Sequence, residues 1–321
     1  MSGDLHGKRI LVTGAGGFLG SALTVRLASL GAEVHGVSRN AHRTDESGMK
    51  WWQVDLAHDR EVKGLLENVR PEYIFHLAGL PDGRRDLDLV GPTFINNAAM
   101  TVHLLSAAIA TDCKRFIYAS SMEEPPLSVP TAKPHSPYSA SKWVGSVYCR
   151  MFRELYGLPV VSLRIYLTYG PGPQLETKLI PYVITSLLRG KSPRLSSGSR
   201  LIDAIYIDDV TDAFVAALSG EKVPEQVVEI GSGKLISIAE VVQKISRLVG
   251  GDIRPALGAL PDRPDEVMPS ADIENTLRLL AWRPRVSLET GLQRTIEWYR
   301  RELALNASPT TGQSDGRDKR R

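Results

Sequence analysis

Tyr138 and Lys142 stand four residues apart in the stretch PYSASK. On a helix that spacing places both on one face. An ammonium beside a phenol favours the phenolate, so Lys142 is expected to lower the Tyr138 pKa from its usual ~10 toward working pH. A phenol tuned in this way can give or take the proton of an alcohol–ketone interconversion. Upstream, RFIYA (Arg115–Ala119) reads as a strand that ends in Ser120-Ser121. The Ser121 hydroxyl can bond a substrate oxygen and share that proton. A Tyr-x-x-x-Lys pair alone is a common surface accident. It gains weight from a third stretch, TGAGGFLG, whose Gly14, Gly17 and Gly20 follow the apolar run Ile10-Leu11-Val12 and open a helix at Phe18. Glycine lacks a Cβ, so the backbone can turn sharply and lie against a pyrophosphate. The helix that follows offers free N–H groups and a positive dipole end to that anion. Strand before and helix after is the context a dinucleotide site requires.

These groups need a sheet to bring them together. Helical spacing runs from Phe18 to Leu30, and EVHGV (Glu33–Val37) reads as a second strand. Trp51–Val54 is a third strand, Asp59–Asn68 a helix and Pro71–Leu77 a fourth strand, followed by the small pair Ala78-Gly79. His76 reads as a packed strand residue rather than a catalytic one. Pro92–Ala110 is expected to be one long helix, Tyr138 opens another that Gly157 stops, and Val160–Ile165 is a further strand. Strands and helices alternating at this length imply α/β architecture, with a doubly wound parallel sheet. Ligands of such sheets bind at the strand ends, where all three features fall. From Tyr169 the texture changes. Helices are expected at Leu179–Leu188, Val210–Leu218, Ile238–Val249, Thr276–Leu280 and Leu288–Leu303, with strands at Ala204–Ile207 and Val227–Ile230. This half reads as a smaller, interleaved lobe.

The strand-two end distinguishes the dinucleotides. An acidic residue there bonds the ribose 2′-hydroxyl of NAD, whereas arginine accommodates the 2′-phosphate of NADP. This chain has Ser38-Arg39-Asn40 with His42 and Arg43 beyond, and no carboxylate. NADP is therefore expected, with NAD the alternative. Asp55 is placed to accept from the adenine amino group, and Leu56 to pack on the ring.

The 321 residues suffice for one large core or two domains. The formal charge of +3 is partly the contribution of the tail, so the folded body is near neutral and lacks the clustered Lys/Arg of a nucleic-acid-binding face. Cys113 and Cys149 have neither metal-ligand spacing nor a disulfide framework, which fits a reducing cytoplasm. No apolar run approaches a membrane span, and MSGDLHGKR lacks the apolar stretch of a signal peptide. No metal and no membrane association is expected.

With these stretches in view, the chain resembles an extended short-chain dehydrogenase/reductase of the NAD(P)-dependent nucleotide-sugar epimerase/dehydratase family. The resemblance covers about residues 8–302. It rests on TGAGGFLG, VDL (Val54–Leu56), FHLAG (Phe75–Gly79), Asn97, ASS (Ala119–Ser121), PYSASK, YGPGP, AIYIDDV (Ala204–Val210), PDRPDE (Pro261–Glu266), Ala271-Asp272 and WRPRVSLETGL. It implies a Rossmann-type NAD(P) domain, mainly residues 1–166 completed by parts of 200–235. It also implies a substrate-binding lobe, mainly 167–305; residues 306–321 are expected to be a disordered tail. It implies a nucleoside-diphosphate-sugar substrate and a homodimer, paired through Pro92–Ala110 and Ser139–Tyr156. Carried onto this chain, the cofactor residues are Gly14, Gly17, Phe18, Leu19, Gly20, Ser38, Arg39, Asp55, Leu56, Leu77, Ala78, Gly79, Asn97, Tyr138 and Lys142. The catalytic set is Ser121, Tyr138, Lys142 and Glu123.

The departures from the family pattern narrow the reaction. Dehydratases of this type carry an acidic pair after the catalytic Thr/Ser; here Ser121 is followed by Met122, which cannot act as an acid, and then by Glu123. The asparagine that usually touches the diphosphate is Leu167, and the arginine usually found before the Asp of IYIDD is Ile202. Arg200 and Arg263 become the candidates for diphosphate recognition, with Arg84, Ser121 and Glu123 also lining the substrate side. The pattern SSMEEP with PDRPDE and WRP is similar to bacterial 4-ketoreductases of deoxysugar pathways. The expected reaction is NADPH-dependent reduction of the C4 ketone of a nucleoside-diphosphate 4-keto-6-deoxyhexose, with dTDP the expected nucleotide. A 4-epimerase retaining NAD(P) is the rival reading; a 4,6-dehydratase or a silent NADP-binding protein rank behind it.

Overall fold

In a computed structural model, which describes residues 5–40, 48–125, 133–219, 227–262 and 269–307, the run Arg9–Thr13 forms strand β1, buried at four of its five positions. A continuous apolar run of this kind is what a parallel strand covered on both faces needs. Helix α1 (Phe18–Ser29) follows, then β2 (Glu33–Ser38), β3 (Lys50–Gln53), α2 (Asp59–Val69) and β4 (Tyr73–His76). Next come α3 (Val90–Thr93), a π-helical turn (Phe94–Ala99), α4 (Met100–Ala108), β5 (Arg115–Ser121), α5 (Pro137–Tyr156) and β6 (Val160–Ile165). The second half supplies β7 (Leu167–Tyr169), α6 (Leu179–Leu188), β8 (Leu201–Tyr206), α7 (Ile207–Ala216), β9 (Val228–Ile230), β10 (Leu235–Ser237), α8 (Ile238–Val249), α9 (Ile273–Leu280) and α10 (Leu288–Ala307).

Among the described residues, seven strands form one parallel sheet in the order β3-β2-β1-β4-β5-β6-β9. The order reverses between β1 and β4, the crevice where such sheets take a dinucleotide. A second sheet runs β10-β8-β7, its β7–β8 pair parallel and its β10–β8 pair antiparallel. The chain thus leaves the large sheet after β6 and returns to it for β9. This is an α/β Rossmann-type fold with a smaller lobe laced into it.

Sequence expectation and structure differ at several elements. The expected single helix Pro92–Ala110 is broken by the π turn at Phe94–Ala99, where one extra residue per turn shifts Asn97 onto the core side. Strands β7 and β10, three residues each, are too short to announce themselves by periodicity. Helix α10 continues through Asn306 and Ala307, so the tail cannot begin at Asn306. The tail beyond Ala307, His42, Arg43 and Arg263 lie outside the described residues.

Helix α5 has clear local causes. The Ser136 Oγ accepts from the Ser139 N–H at 3.0 Å, Pro137 occupies the first turn, and Gly157 closes the helix at φ 67°. Its buried face is mostly small: Ser139, Ser141, Gly145, Ser146 and Cys149, with Lys142 among them. A Cβ on Gly145 would collide with the Tyr118 hydroxyl, so glycine lets α5 lie close on β5.

Candidate active site

The glycine loop is a cradle that side chains would fill. Gly14 sits at φ 68°, and a Cβ there would come within 2.8 Å of the Ala78 nitrogen. A Cβ on Gly20 would collide with the Gly14 carbonyl, and one on Gly79 would lie 2.9 Å from the Asn97 Oδ1. Helix α1 starts at Phe18 with Gly17 as its cap residue and no side-chain cap. The first-turn N–H groups of Phe18, Leu19 and Gly20 are thus left at a positive dipole end. Close-packed glycines and an uncapped helix start on the switch point fit the pyrophosphate of a dinucleotide.

A buried hydrogen-bond chain ties this loop to the neighbouring strand end. The Thr101 hydroxyl donates to the Asn97 carbonyl, so it accepts from His76 Nε2–H at 2.9 Å. Nδ1 of His76 is then the acceptor, and Thr13 Oγ1 donates to it at 2.8 Å. Thr13 Oγ1 in turn accepts from the N–H groups of Leu77 (3.2 Å) and Ala78 (3.1 Å). Burial, aided by the charge of Lys142, pushes the His76 pKa down to about 3, so the ring is neutral and its tautomer fixed. His76 is a packed strand residue that sets the floor under Leu77, Ala78 and Gly79.

Asn97 continues this framework. Its Oδ1 accepts from the Leu80 N–H at 2.7 Å, and its Nδ2 donates to Ser141 Oγ (2.8 Å) and the Leu80 carbonyl (3.3 Å). Both amide hydrogens are committed to protein, and the residue is 1% exposed. The side chain joins the β4 end to α5, one residue from Lys142.

At the other end of the crevice, the Ser38 Oγ accepts from the Asn40 N–H at 3.1 Å and retains its own proton to donate. Arg39 is exposed and donates to Asn96 Oδ1 at 3.1 Å. Asp55 Oδ1 accepts from the Ala57 N–H at 3.0 Å, shaping the turn into α2, while Leu56 is buried.

The reactive groups meet where β5 ends. Ser121 is buried, its Oγ accepts from the Glu123 N–H at 3.2 Å, and it lies close enough to Tyr138 to act on the phenol. The Ser139 hydroxyl donates to the Glu123 carbonyl at 2.6 Å, fixing the first turn of α5 against the loop after β5. Lys142 is 6% exposed, with Nζ 4.2 Å from the centroid of the Tyr118 ring. Burial pulls its pKa down to about 8. The expected lowering of Tyr138 is corrected here. Burial raises the phenol well above its ordinary value and outweighs the lowering by Ser121, while the Lys142 ammonium lies over the Tyr118 face. Tyr138 is accordingly held as a neutral phenol, a proton donor.

The substrate-side candidates are more dispersed. Glu123 is half-buried, its carboxylate 3.9 Å from His135 Nε2 and beside Gly83. Arg84, on the same loop as Gly83, is exposed and clamps Asp82 through Nε and Nη2 at 2.7–3.1 Å. Lys178 ties that loop down by donating to the Pro81 carbonyl at 2.5 Å. Leu167 begins β7 opposite Ala204 and packs on the second lobe's core. Arg200 is half-buried just before β8, its carbonyl accepting from the Ile238 N–H.

Sequence reading missed the supporting residues. Thr13, Thr101 and Ser141 carry no pattern of their own. Glu124 is 4% exposed and accepts from Ser120, four residues back, and from Ser146 on α5. Asp203 gathers the Ser232 and Gly233 N–H groups and the Ala271 N–H at 2.6–3.0 Å, joining β8 to the segments after β9 and before α9. Among the described residues there is no His/Cys/Asp/Glu cluster of metal-binding type and no helix long and apolar enough to cross a membrane.

Comparison with known proteins gives the same picture. The model of the "NAD dependent epimerase/dehydratase family" matches residues 10–231. The UDP-glucose 4-epimerase of Mycolicibacterium smegmatis is 33% identical over 315 residues, covering 91% of this chain and 98% of that one. The crystal structure of UDP-glucose 4-epimerase from Thermotoga maritima with UDP-glucose superposes with a TM-score of 0.82 at 28% identity, covering 92% of this chain and 99% of that one. The Bordetella bronchiseptica enzyme WbmF, in complex with NAD+ and UDP, superposes with a TM-score of 0.81 at 28% identity over 94% of each chain.

Proposed function

Because the chain belongs to the NAD-dependent epimerase/dehydratase family, we propose that it moves a hydride at C4 of a nucleoside-diphosphate sugar, with Tyr138 exchanging the proton of the C4 oxygen. The observation that carries this is the placing of buried Ser121, at the end of β5, close enough to the Tyr138 phenol to act on it, on the sheet edge that also carries the glycine cradle. A nicotinamide dinucleotide, when bound, supplies the hydride donor or acceptor. Gly14, Gly17, Phe18, Leu19 and Gly20 would hold its pyrophosphate, and Leu77, Ala78 and Gly79 would let it lie on β4. Tyr138, neutral at working pH, gives its proton to the substrate oxygen, and Ser121 holds that oxygen in line. Lys142, one turn along α5, supplies the positive charge of the site and would hold the nicotinamide ribose. Residues 1–166 with β9 form the cofactor half and residues 167–305 the sugar-nucleotide half. Arg84, Arg200, Arg263, Leu167 and Glu123 are its specificity candidates.

The finer reading is reduction of the C4 ketone of a dTDP-4-keto-6-deoxyhexose by NADPH. Ser38 and Arg39 support it, since a serine hydroxyl and an exposed guanidinium suit a 2′-phosphate. Met122, where dehydratases carry an acid, opposes dehydration. The second reading, 4-epimerisation with a retained nicotinamide, is favoured by the 33% identity to a UDP-glucose 4-epimerase. We further propose a homodimer built on the exposed Val90, Phe94, Ile95, Val147 and Tyr148 of two packed helical segments. Free, buried Cys113 and Cys149 suit a reducing cytoplasm.

The test is consumption of NADPH with a purified dTDP-4-keto-6-deoxyhexose. Stoichiometric oxidation is expected, and Tyr138→Phe is expected to abolish turnover while leaving NADPH binding nearly intact. Net conversion of UDP-glucose to UDP-galactose without added cofactor would replace the reductase by the epimerase. Full activity in Tyr138→Phe would remove Tyr138 as the acid.

A further inference from the structure

Glu124 takes no part in the chemistry assigned above, yet it is the buried carboxylate of the site. It is 4% exposed. Its Oε1 accepts from Ser120 Oγ at 2.7 Å and from the Ser121 N–H at 3.0 Å; its Oε2 accepts from Ser146 Oγ at 2.6 Å. Ser120 and Ser121 end β5. Ser146 lies one turn beyond Lys142 on α5. The side chain therefore braces the strand that carries Ser121 against the helix that carries Tyr138 and Lys142. The Ser121 N–H and two serine hydroxyls converge on it.

A buried carboxylate costs several kcal/mol unless it is paired. The ionisable groups that act on Glu124 or share its surroundings are Lys142, Tyr138 and Cys149 from α5, Tyr118 from β5, and Glu123 from its own loop. Lys142 is the cation among them, itself 6% exposed. Burial drives the two groups in opposite senses, raising Glu124 and lowering Lys142, and each offsets part of that effect on the other. We propose that Glu124 is a positioning residue: the buried countercharge of Lys142, bracing Ser121 against the helix that bears Tyr138. The inference rests on the reading of Tyr138 and Lys142 as reactive groups, but its decisive measurement needs no substrate.

Glu124→Gln keeps the shape and the Oε1 acceptor, and its amide can donate to Ser146, while the charge is lost. Without the carboxylate, desolvation of Lys142 is unopposed and the ammonium gives up its proton at lower pH. The titration of Lys142 is read by NMR on lysine labelled at the carbon beside Nζ, with the signal assigned by its loss in Lys142→Gln. The wild-type midpoint near pH 8 is expected to fall by about one pH unit in Glu124→Gln. The alkaline limb of the kcat profile is expected to fall with it. Ser146→Ala, which removes one brace and keeps the charge, should leave the Lys142 midpoint in place. An unchanged midpoint in Glu124→Gln overturns the countercharge assignment. A shifted midpoint in an enzyme that turns over no nucleotide sugar would uphold it and reject the proposed reaction instead.

Discussion

Asn97 offers a quantitative check on how the cofactor crevice is held. Its amide makes three hydrogen bonds, to the Leu80 N–H, the Leu80 carbonyl and Ser141 Oγ, at a site 1% exposed. Net contributions near 1 kcal/mol per bond, together with the orphaned Leu80 N–H, put the cost of Asn97→Ala at about 3 kcal/mol. For a chain of this size that is a fall in Tm of roughly 6 °C. A sharper consequence comes from Gly79. A Cβ there would lie 2.9 Å from Asn97 Oδ1, with no other heavy atom within 4 Å except Asn97 Cγ at 3.9 Å. Gly79→Ala should therefore destabilise the wild-type chain by about 1–3 kcal/mol, through overpacking, and cost little in the Asn97→Ala background. Urea unfolding of the two single variants and the double variant closes the cycle, and the coupling should exceed about 1 kcal/mol. Additive costs would refute the packing argument. An Asn97→Ala variant that melts like wild type but binds NADPH at least tenfold more weakly would place the amide on the cofactor instead.

Two further outcomes are expected. Arg39→Ala should weaken NADPH binding far more than NADH binding in fluorescence titrations, and an equal loss for both would defeat the phosphate assignment. Phe94→Asp, which puts a charge on an exposed apolar surface, should convert the proposed dimer to monomer in sedimentation velocity; a wild-type monomer at micromolar concentration would remove the dimer reading.

The parts of this site legible in the sequence are those whose chemistry is local. The glycines of TGAGGFLG must sit within a few residues of one another to make a cradle, and Tyr138 and Lys142 share a helix face by spacing alone. What escaped depends on residues brought together from afar. Glu124 acquires its meaning from Ser146, a turn past Lys142 on another element, and nothing in SSMEEP announces that pairing. The π turn escaped because one extra residue scarcely disturbs an apolar pattern, although it turns Asn97 inward. Spacing gives Tyr138 its proximity to Lys142, but burial, a property of the assembled fold, sets its pKa. Arg84 is expected on the substrate side by its sequence context, but its exposed guanidinium is committed to Asp82 two residues away.

The return of the chain to the large sheet has a kinetic consequence. Strand β6 ends at Ile165, and the partner for its outer edge, β9, begins only at Val228. During synthesis that edge remains unpaired for several seconds, at roughly 5–20 residues per second, while the intervening lobe is made. An open, apolar parallel edge such as VVSLRI is a template for pairing with other nascent chains. Expression yield should therefore respond to translation speed between Leu167 and Ile230 more than to changes of similar size elsewhere, even where the mature protein is equally stable.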